Sequence, residues 1–427
     1  MSITTLMIAI FVVGYVFIAL EDVIHINKTA TALLLSTVLW VCLSQIAPGV
    51  PEMHASLVEN LGDVAEILFF LMGAMTVVEI VDVHGGFRLI TNNLKIKNRV
   101  KLLWITCPLA FILASVSGNL TTAIIMVALI RKLVGDKHDR WFFLGMVIVA
   151  ANAGGAWSPI GDVTTVMLWI SGKVSAEGVI ANDLICSLAS ILVPLLVLTC
   201  TMKGDVERPP IAESEKTSDV TRGQTITVVC LGIGSLLFVP FFKGITHLPP
   251  YLGLLGGLSI LWIYMGFLHK RRLADDRDHY SVTNLLSRID MSSILFFLGI
   301  LMAVNALKDG GQLTMLSESL EKIPLPEPNK YYVITILIGL FSSVIDNVPL
   351  VAAAIGMYDF PMDHYFWEFV SYTAGVGGSL LIIGSAAGVA VMGMEKIEFI
   401  WYLKKISWLA LLGYASGCVV YILEHSI

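Results

Sequence analysis

Asn152 to Thr165 reads N-A-G-G-A-W-S-P-I-G-D-V-T-T and lies inside an otherwise apolar run from Trp141 to Ile170. Gly154, Gly155, Pro159 and Gly161 break a helix, and Asp162 is a carboxylate. In lipid, freed backbone groups find no partner, so broken backbone at that depth has to line a protein-enclosed or watery cavity. An Asp at the bilayer centre costs about 2.5–3.5 kcal/mol on insertion scales. A carboxylate beside exposed carbonyls and the hydroxyls of Ser158, Thr164 and Thr165 is the chemistry of a small-cation or proton site. The plainer reading is that Asp162 caps the helix beginning at Val163, which is compatible with a site because a half-helix N-terminus also faces the cavity.

Two more polar interruptions break apolar stretches. Asn119 sits in S-V-S-G-N-L (115–120), between apolar halves of 101–133, and Asp346-Asn347 sits in S-V-I-D-N-V (343–348), between apolar halves of 331–358. Asp, Asn and the following Pro349 are turn residues, but this turn is flanked by apolar runs and so is buried. An Asn amide oxygen can ligate a hard cation and its NH2 can bond a carboxylate. Asn152, Ser158, Ser342, Ser379 and Ser385 form a second tier, because small polar residues in membrane helices commonly bond across helices. Glu66, Glu79 and Asp82 share one span; Glu79 and Asp82 sit near one end, where a nearby base would pair with them.

These residues belong to a membrane chain. Of 427 residues, 56% are hydrophobic and only 14% charged, with a mean hydropathy of +0.81; a soluble chain carries about a quarter charged residues. Full spans are expected at 3–20, 30–47, 64–82, 142–170 (broken), 181–202, 225–242, 251–268, 292–308, 366–394 (broken) and 401–423, each long enough for about 30 Å of hydrocarbon. The segments 101–133 and 331–358 are expected as re-entrant hairpins. Lys173, Lys243, Lys308, Lys322 and Lys330 then fall on one face, and the other 22 of the 27 Lys and Arg on the opposite face. The positive-inside rule puts the basic face in the cytoplasm and both termini outside. Ile3 to Leu20 lacks a basic leader and reads as the first span, and no Arg-rich transit peptide precedes it, which favours a bacterial inner membrane. The six cysteines lie in apolar segments without metal or redox spacing and read as small buried hydrophobes.

The chain repeats itself at an offset near 227. Ile67-Leu-Phe-Phe-Leu71 recurs as Ile294-Leu-Phe-Phe-Leu298, the hairpin tips align, and N-A-G-G-A-W-S-P-I-G-D-V aligns with G-V-G-G-S-L-L-I-I-G-S-A (375–386). Five crossings separate equivalent elements, so the second copy is inverted. The domain reading is a first inverted repeat over 1–203, a cytoplasmic linker over 204–224 and a second repeat over 225–427. This is the plan of secondary transporters, whose sites lie at the midplane where broken helices meet.

Hard monovalent cations such as Na+ or Li+ want carboxylate, amide, carbonyl and hydroxyl oxygens. No Lys or Arg falls in the tips or breaks, which favours a cation over an anion. Mutually exclusive occupancy of Asp162 or Asp346 by a metal ion and a proton yields antiport without further parts. The rival readings are a carrier for an anionic or neutral solute such as a dicarboxylate; an intramembrane aspartyl protease, disfavoured because Gly-x-Gly-Asp is absent; and a non-transporting subunit, which needs no broken helices.

G-G-A-W-S-P-I-G-D-V-T-T, preceded by S-G-N-L-T-T and followed in the second half by D-N-V-P, resembles NhaD-type Na+/H+ antiporters of the ion transporter superfamily, over most of the chain and in order. The resemblance implies an all-α polytopic membrane protein with two inverted repeats, re-entrant hairpins and broken helices, and an elevator-type architecture in which a scaffold dimerises and a transport domain moves. It implies exchange of Na+ or Li+ for H+, no cofactor beyond those transported ions, a homodimer in the bilayer and no nucleic-acid partner. Family positions carry over to Asn119, Asn152, Asp162, Thr164, Thr165, Ser342 and Asn347, with Asp346 and the serines near Ser379 and Ser385. One position departs: an Asp often precedes the first-tip Asn, and here that residue is Gly118.

Overall fold

The computed structural model describes residues 3–19, 21–24, 26–46, 50–86, 96–207, 221–269, 282–344 and 346–426. The linker positions 208–220 and the expected cytoplasmic cations Arg88, Lys95, Arg208, Lys216, Lys270, Arg271, Arg272 and Arg277 lie outside them, as does Ile345 in the second tip. Among the described residues the fold is helical with no strand; one isolated bridge joins Asn98 and Asp205. Seven of these helices are long and apolar enough to cross a membrane, and five shorter apolar helices accompany them. Their outward faces are apolar: Ile245 and Phe267 are about three-quarters exposed. The protein is thus an integral, multi-pass membrane protein.

The helices follow the expected spans. Ile3–Ala19, Lys28–Ser44 and Val50–Val83 come first, then Arg99–Ser117 with Asn119–Leu133, Lys137–Ala156 with Val163–Ile170, and Ala176–Thr201. The second half runs Arg222–Thr246, Pro250–His269, Met291–Asp309, Asn329–Phe341 with Asn347–Met357, Tyr365–Gly377 with Ala386–Glu395, Phe399–Lys405 and Ser407–Ser426. The third helix begins well before the expected residue 64, because Glu52 to Asp63 stay helical with their polar side chains mostly exposed. The last span is two helices, parted at Ile406. Gln312–Glu321 is an additional short amphipathic helix.

Each break has a local cause. Gly118 alone separates the helices of the first hairpin, at φ 82° and ψ 155°, a region that belongs almost wholly to glycine. In the first broken helix, Trp157 to Asp162 form turns, and Asp162 restarts the helix by accepting a hydrogen bond from Val163 N at 2.8 Å. Ser385 restarts the second broken helix by accepting from Gly388 N. Close packing holds these breaks in place. Gly154 lies directly against the Phe111 backbone, and Gly377 against that of Gly339, where a Cβ would collide with the facing carbonyl.

The core divides into two clusters. One gathers side chains of the first three helices, of Arg222–Thr246, Pro250–His269, Met291–Asp309 and Asn347–Met357; the other gathers the first hairpin, Lys137–Ala156, Ala176–Thr201 and the C-terminal helices. Tyr365–Gly377 contributes to both, and the first broken helix joins them, with Lys137–Ala156 in the second cluster and Val163–Ile170 in the first. All six cysteines are free thiols.

Candidate functional site

Asp162 is 4% exposed and stands where both tips and the first break converge. Its Oδ1 accepts from Val163 N at 2.8 Å and from Asn119 Nδ2 at 3.1 Å; its Oδ2 accepts from Thr164 Oγ1 at 2.9 Å and from Asn347 Nδ2 at 3.1 Å. Asn119 and Asn347 open the second helices of their hairpins. Four donors around one buried carboxylate are charge-assisted bonds, the strong kind.

Behind this ring lies a second layer of bonds. Asn119 Nδ2 also donates to Asn152 Oδ1 at 3.1 Å, and Asn152 Nδ2 donates to Ser385 Oγ at 3.0 Å. Asn152 and Ser385 are both buried, so a polar line crosses from the first tip through the first broken helix to the cap of the second. A cavity of about 100 Å3 opens on the front of the ring. Asn119, Asp162, Asp346 and Asn347 line it, facing Phe70, Met75, Ile294 and Phe297 of the helices Val50–Val83 and Met291–Asp309. No lysine or arginine lines it.

The other expected residues divide clearly. Asp346 is half-buried on the cavity wall and caps the second tip helix by accepting from Val348 N at 3.1 Å; it makes no direct bond to Asp162. Thr165, Ser158, Ser342 and Ser379 stand away from the cavity. Thr165 Oγ1 donates to Ala156 O, Ser158 Oγ to Ser115 O, Ser342 Oγ to Ala374 O and Ser379 Oγ to Val376 O. They satisfy the carbonyls that the breaks set free, a structural service to the site. Glu79 pairs with Arg288 at 3.6 Å, as its place near the span's end led one to expect.

Chemically, the cavity offers two carboxylates, two amides whose oxygens can turn inward, and hydroxyls. This set is all-oxygen and net negative, which suits a hard monovalent cation as transported substrate. Among the described residues no group of three or more His, Cys, Asp or Glu gathers for a resident transition metal. Sequence reasoning missed Asp183, Glu368 and Ser371, a buried polar group beside the site. Asp183 and Glu368 fell near the expected span ends, where acids are unremarkable.

Interrupted helices around a buried carboxylate, in an apolar multi-pass chain, are the plan of a membrane carrier. The family model for citrate transporters (CitMHS) matches residues 15–377. Sodium/proton antiporter 1 of Arabidopsis thaliana is 44% identical over 99% of this chain and 72% of its own length, and sodium/proton antiporter 2 of the same plant is 41% identical over 98% and 99%. The Na+/H+ antiporter NhaD of Vibrio cholerae is 33% identical over 97% of this chain and 90% of its own length. The chain belongs to this family and stands with its NhaD-type sodium/proton antiporters.

Proposed function

We infer that the chain is a secondary transporter, not an enzyme, that exchanges Na+ or Li+ for H+ across the membrane. The observation that carries the mechanism is the Asp162 carboxylate held by one asparagine from each hairpin. A carboxylate in that ring accepts either a proton or a metal ion but not both. Na+ seats on Asp162 as the proton leaves, with Asp346 across the same cavity adding negative charge and the Asn119 and Asn347 amides rotating their oxygens towards the ion. Asn152, Ser385 and Thr164 hold the ring in register.

Further features support the finer architecture. The two halves pack alike: Lys28–Ser44 on Met291–Asp309 corresponds to Pro250–His269 on Val50–Val83, and Arg99–Ser117 on Lys137–Ala156 corresponds to Asn329–Phe341 on Tyr365–Gly377. This supports two inverted repeats over 1–203 and 225–427 joined by the linker 204–224. The cavity lies between tips and the helices Val50–Val83 and Met291–Asp309, so sliding the tip-bearing body along those helices would carry Asp162 across the bilayer, in keeping with an elevator and a dimerising scaffold. The basic bias favours termini outside.

The description of the matching family favours one second reading, a carrier for a carboxylate solute. The acidic cavity without a cationic side chain opposes it. Reconstitution into liposomes containing a pH dye tests both: Na+ or Li+ should release the pH gradient while K+ and dicarboxylates do not. Dequenching by a dicarboxylate alone would overturn the antiport reading.

A further inference from the structure

A second set of buried acids lies off the cation site. Asp183, on Ala176–Thr201, is fully buried, and its Oδ2 has no hydrogen-bond partner. Glu368, on Tyr365–Gly377, is 2% exposed. Both helices pack against each other and against Ser407–Ser426. Among the described residues no lysine or arginine pairs with either acid.

The surroundings decide what such a cluster can hold. Glu368 Oε1 accepts from Asn182 Nδ2 at 2.7 Å; its Oε2 accepts from Tyr421 OH at 3.4 Å and has His425 Nε2 at 3.9 Å. Donors surround Glu368, so a metal ion finds no oxygen ligand set there. The groups facing Asp183 are Glu368 and Ser371 from one helix, Glu424 from the C-terminal helix and Cys186 from its own; Asp363 faces Glu368 from the preceding loop. Holding both Asp183 and Glu368 ionised with no fixed positive charge beside them would cost several kcal/mol. The orphaned Asp183 oxygen is suited to carrying a proton.

The cluster also points at the site. Glu368, Ser371 and Gly375 are spaced three and then four residues apart, along one face of one helix. From Glu368 to Gly375 is about 10 Å of helix. At the far end a methyl on Gly375 would stand 3.5 Å from Asp162 Oδ2. Midway, Ser371 Oγ is 3.0 Å from Thr165 Oγ1, on the helix that Asp162 caps.

We propose that Asp183 and Glu368 form a second proton-binding pair, exchanging protons with the Asp162 site along the Glu368–Ser371–Gly375 face and with bulk water past His425. The proposal rests on the antiport reading. As Na+ leaves towards the face that holds the C-terminus, the pair gives its proton to the Asp162 carboxylate, one O–H bond breaking and one forming with no change in oxidation state. The pair then refills from bulk water at the His425 end, whose side chain is about one-fifth exposed. Asp183 and Glu368 touch no transported metal ion.

The full chain in liposomes tests this with two readouts: Na+-driven proton movement by pH dye, and exchange of radioactive Na+ for unlabelled Na+ at equal pH on both sides. Asp183→Asn and Glu368→Gln should keep Na+ for Na+ exchange within about twofold while proton-coupled exchange falls about tenfold or more, or its pH profile moves by about one unit. Asp162→Asn should lose both. Ser371→Ala, a smaller change, should show the same split and serves if the acid variants fail to fold. Unchanged proton-coupled exchange with an unchanged profile overturns the proposal, and so does equal loss of both exchanges, which would mark a packing role. A wild-type protein that moves no protons on Na+ addition fails the antiport reading instead, and the two failures are told apart.

Discussion

Asp162 and Ser385 have the same backbone: φ −141° with ψ 150°, and φ −141° with ψ 152°. Each follows a helix break, each starts a short helix, and each caps it with a side-chain oxygen. The glycines before them also match. A methyl on Gly155 would meet Gly161 O at 2.7 Å, and one on Gly378 would meet Gly384 O at 2.9 Å. One mould is used twice, but only one copy carries a charge. The two caps therefore share a backbone but differ in charge.

The first prediction follows from that asymmetry. Asp162→Ser keeps a capping oxygen, which Ser provides about as well as Asp, and removes the charge. The variant should melt lower by an amount matching about 1–3 kcal/mol, because the Asn119 and Asn347 amides lose their acceptor, while uptake of radioactive Na+ in exchange for protons is lost. Substantial Na+-driven proton movement in Asp162→Ser would mean that Asp346 is the seat.

Asn119 and Asn347 each supply one bond to that carboxylate, and bonds to charged groups contribute about 1.5–3 kcal/mol. When Na+ seats, the amide oxygens that turn to the ion replace those bonds, so Asn119→Ala and Asn347→Ala, which remove an ion ligand, should each raise the Na+ concentration for half-maximal exchange by about tenfold. Because both act on one carboxylate, the double variant should fall short of the product of the two effects. Dose–response curves of the four proteins make the comparison.

The reach of the sequence was set by lipid. A polar or glycine-rich break in an apolar run violates the rule that spans satisfy their own backbone, so Asn119, Asp162, Asp346 and Asn347 could be seen, and they do line one cavity. The same rule cannot distinguish a side chain facing an ion from one repairing a broken helix. Ser158, Ser342 and Ser379 therefore looked like Asn152 and Ser385, although their hydroxyls bond to carbonyls. Asp183 escaped notice because hydropathy set the start of its span at 181, whereas the helix begins at Ala176 and buries the acid. Gln312–Glu321 escaped because its apolar face is short and polar residues flank it.

Backbone contact at the breaks gives a stability prediction. Gly154→Ala and Gly377→Ala drive a methyl into the carbonyls of Phe111 and Gly339, and overpacking of this kind costs about 1–3 kcal/mol or more. Gly256→Ala meets nothing within 4 Å and is the control. Thermal unfolding in detergent should fall by several degrees for the first two and hold for the third.

The surface pair Glu321 and Lys330 supplies a prediction about pH. Lys330 Nζ donates to Glu321 Oε2 at 2.8 Å, and this bond, with a second from Tyr331, holds the Glu321 carboxyl below its ordinary value. A carboxyl depressed in the folded state adds stability above its unfolded value, about 4.3, and loses it as pH falls through the folded value. Lys330→Met should therefore melt slightly lower than wild type near pH 7, and the gap should close as pH drops below about 4. The pair is partly exposed, so the gap should also shrink at high salt. A difference that persists unchanged into acid would mean Lys330 stabilises by packing over the Tyr331 ring, 5.9 Å from its centre, and not by charge.

Gly118 presents the last test, because the resemblance to NhaD-type antiporters implies an acid at its place in the first tip. An added side chain has space, with only Gly161 O nearby at 3.9 Å, but the backbone at φ 82° and ψ 155° is one that other residues resist. Gly118→Asp should lower the melting temperature by an amount matching about 1–3 kcal/mol of backbone strain. It would also bring a third carboxylate to the rim of the cavity, within reach of Asn119. If the variant folds, it should bind Na+ more tightly and exchange it more slowly, since an added negative charge favours the loaded state over release. Half-maximal concentration and maximal rate, measured together in liposomes, separate the two effects. A rise in rate with unchanged affinity would mean that the tip, and not the number of charges, sets the pace of transport.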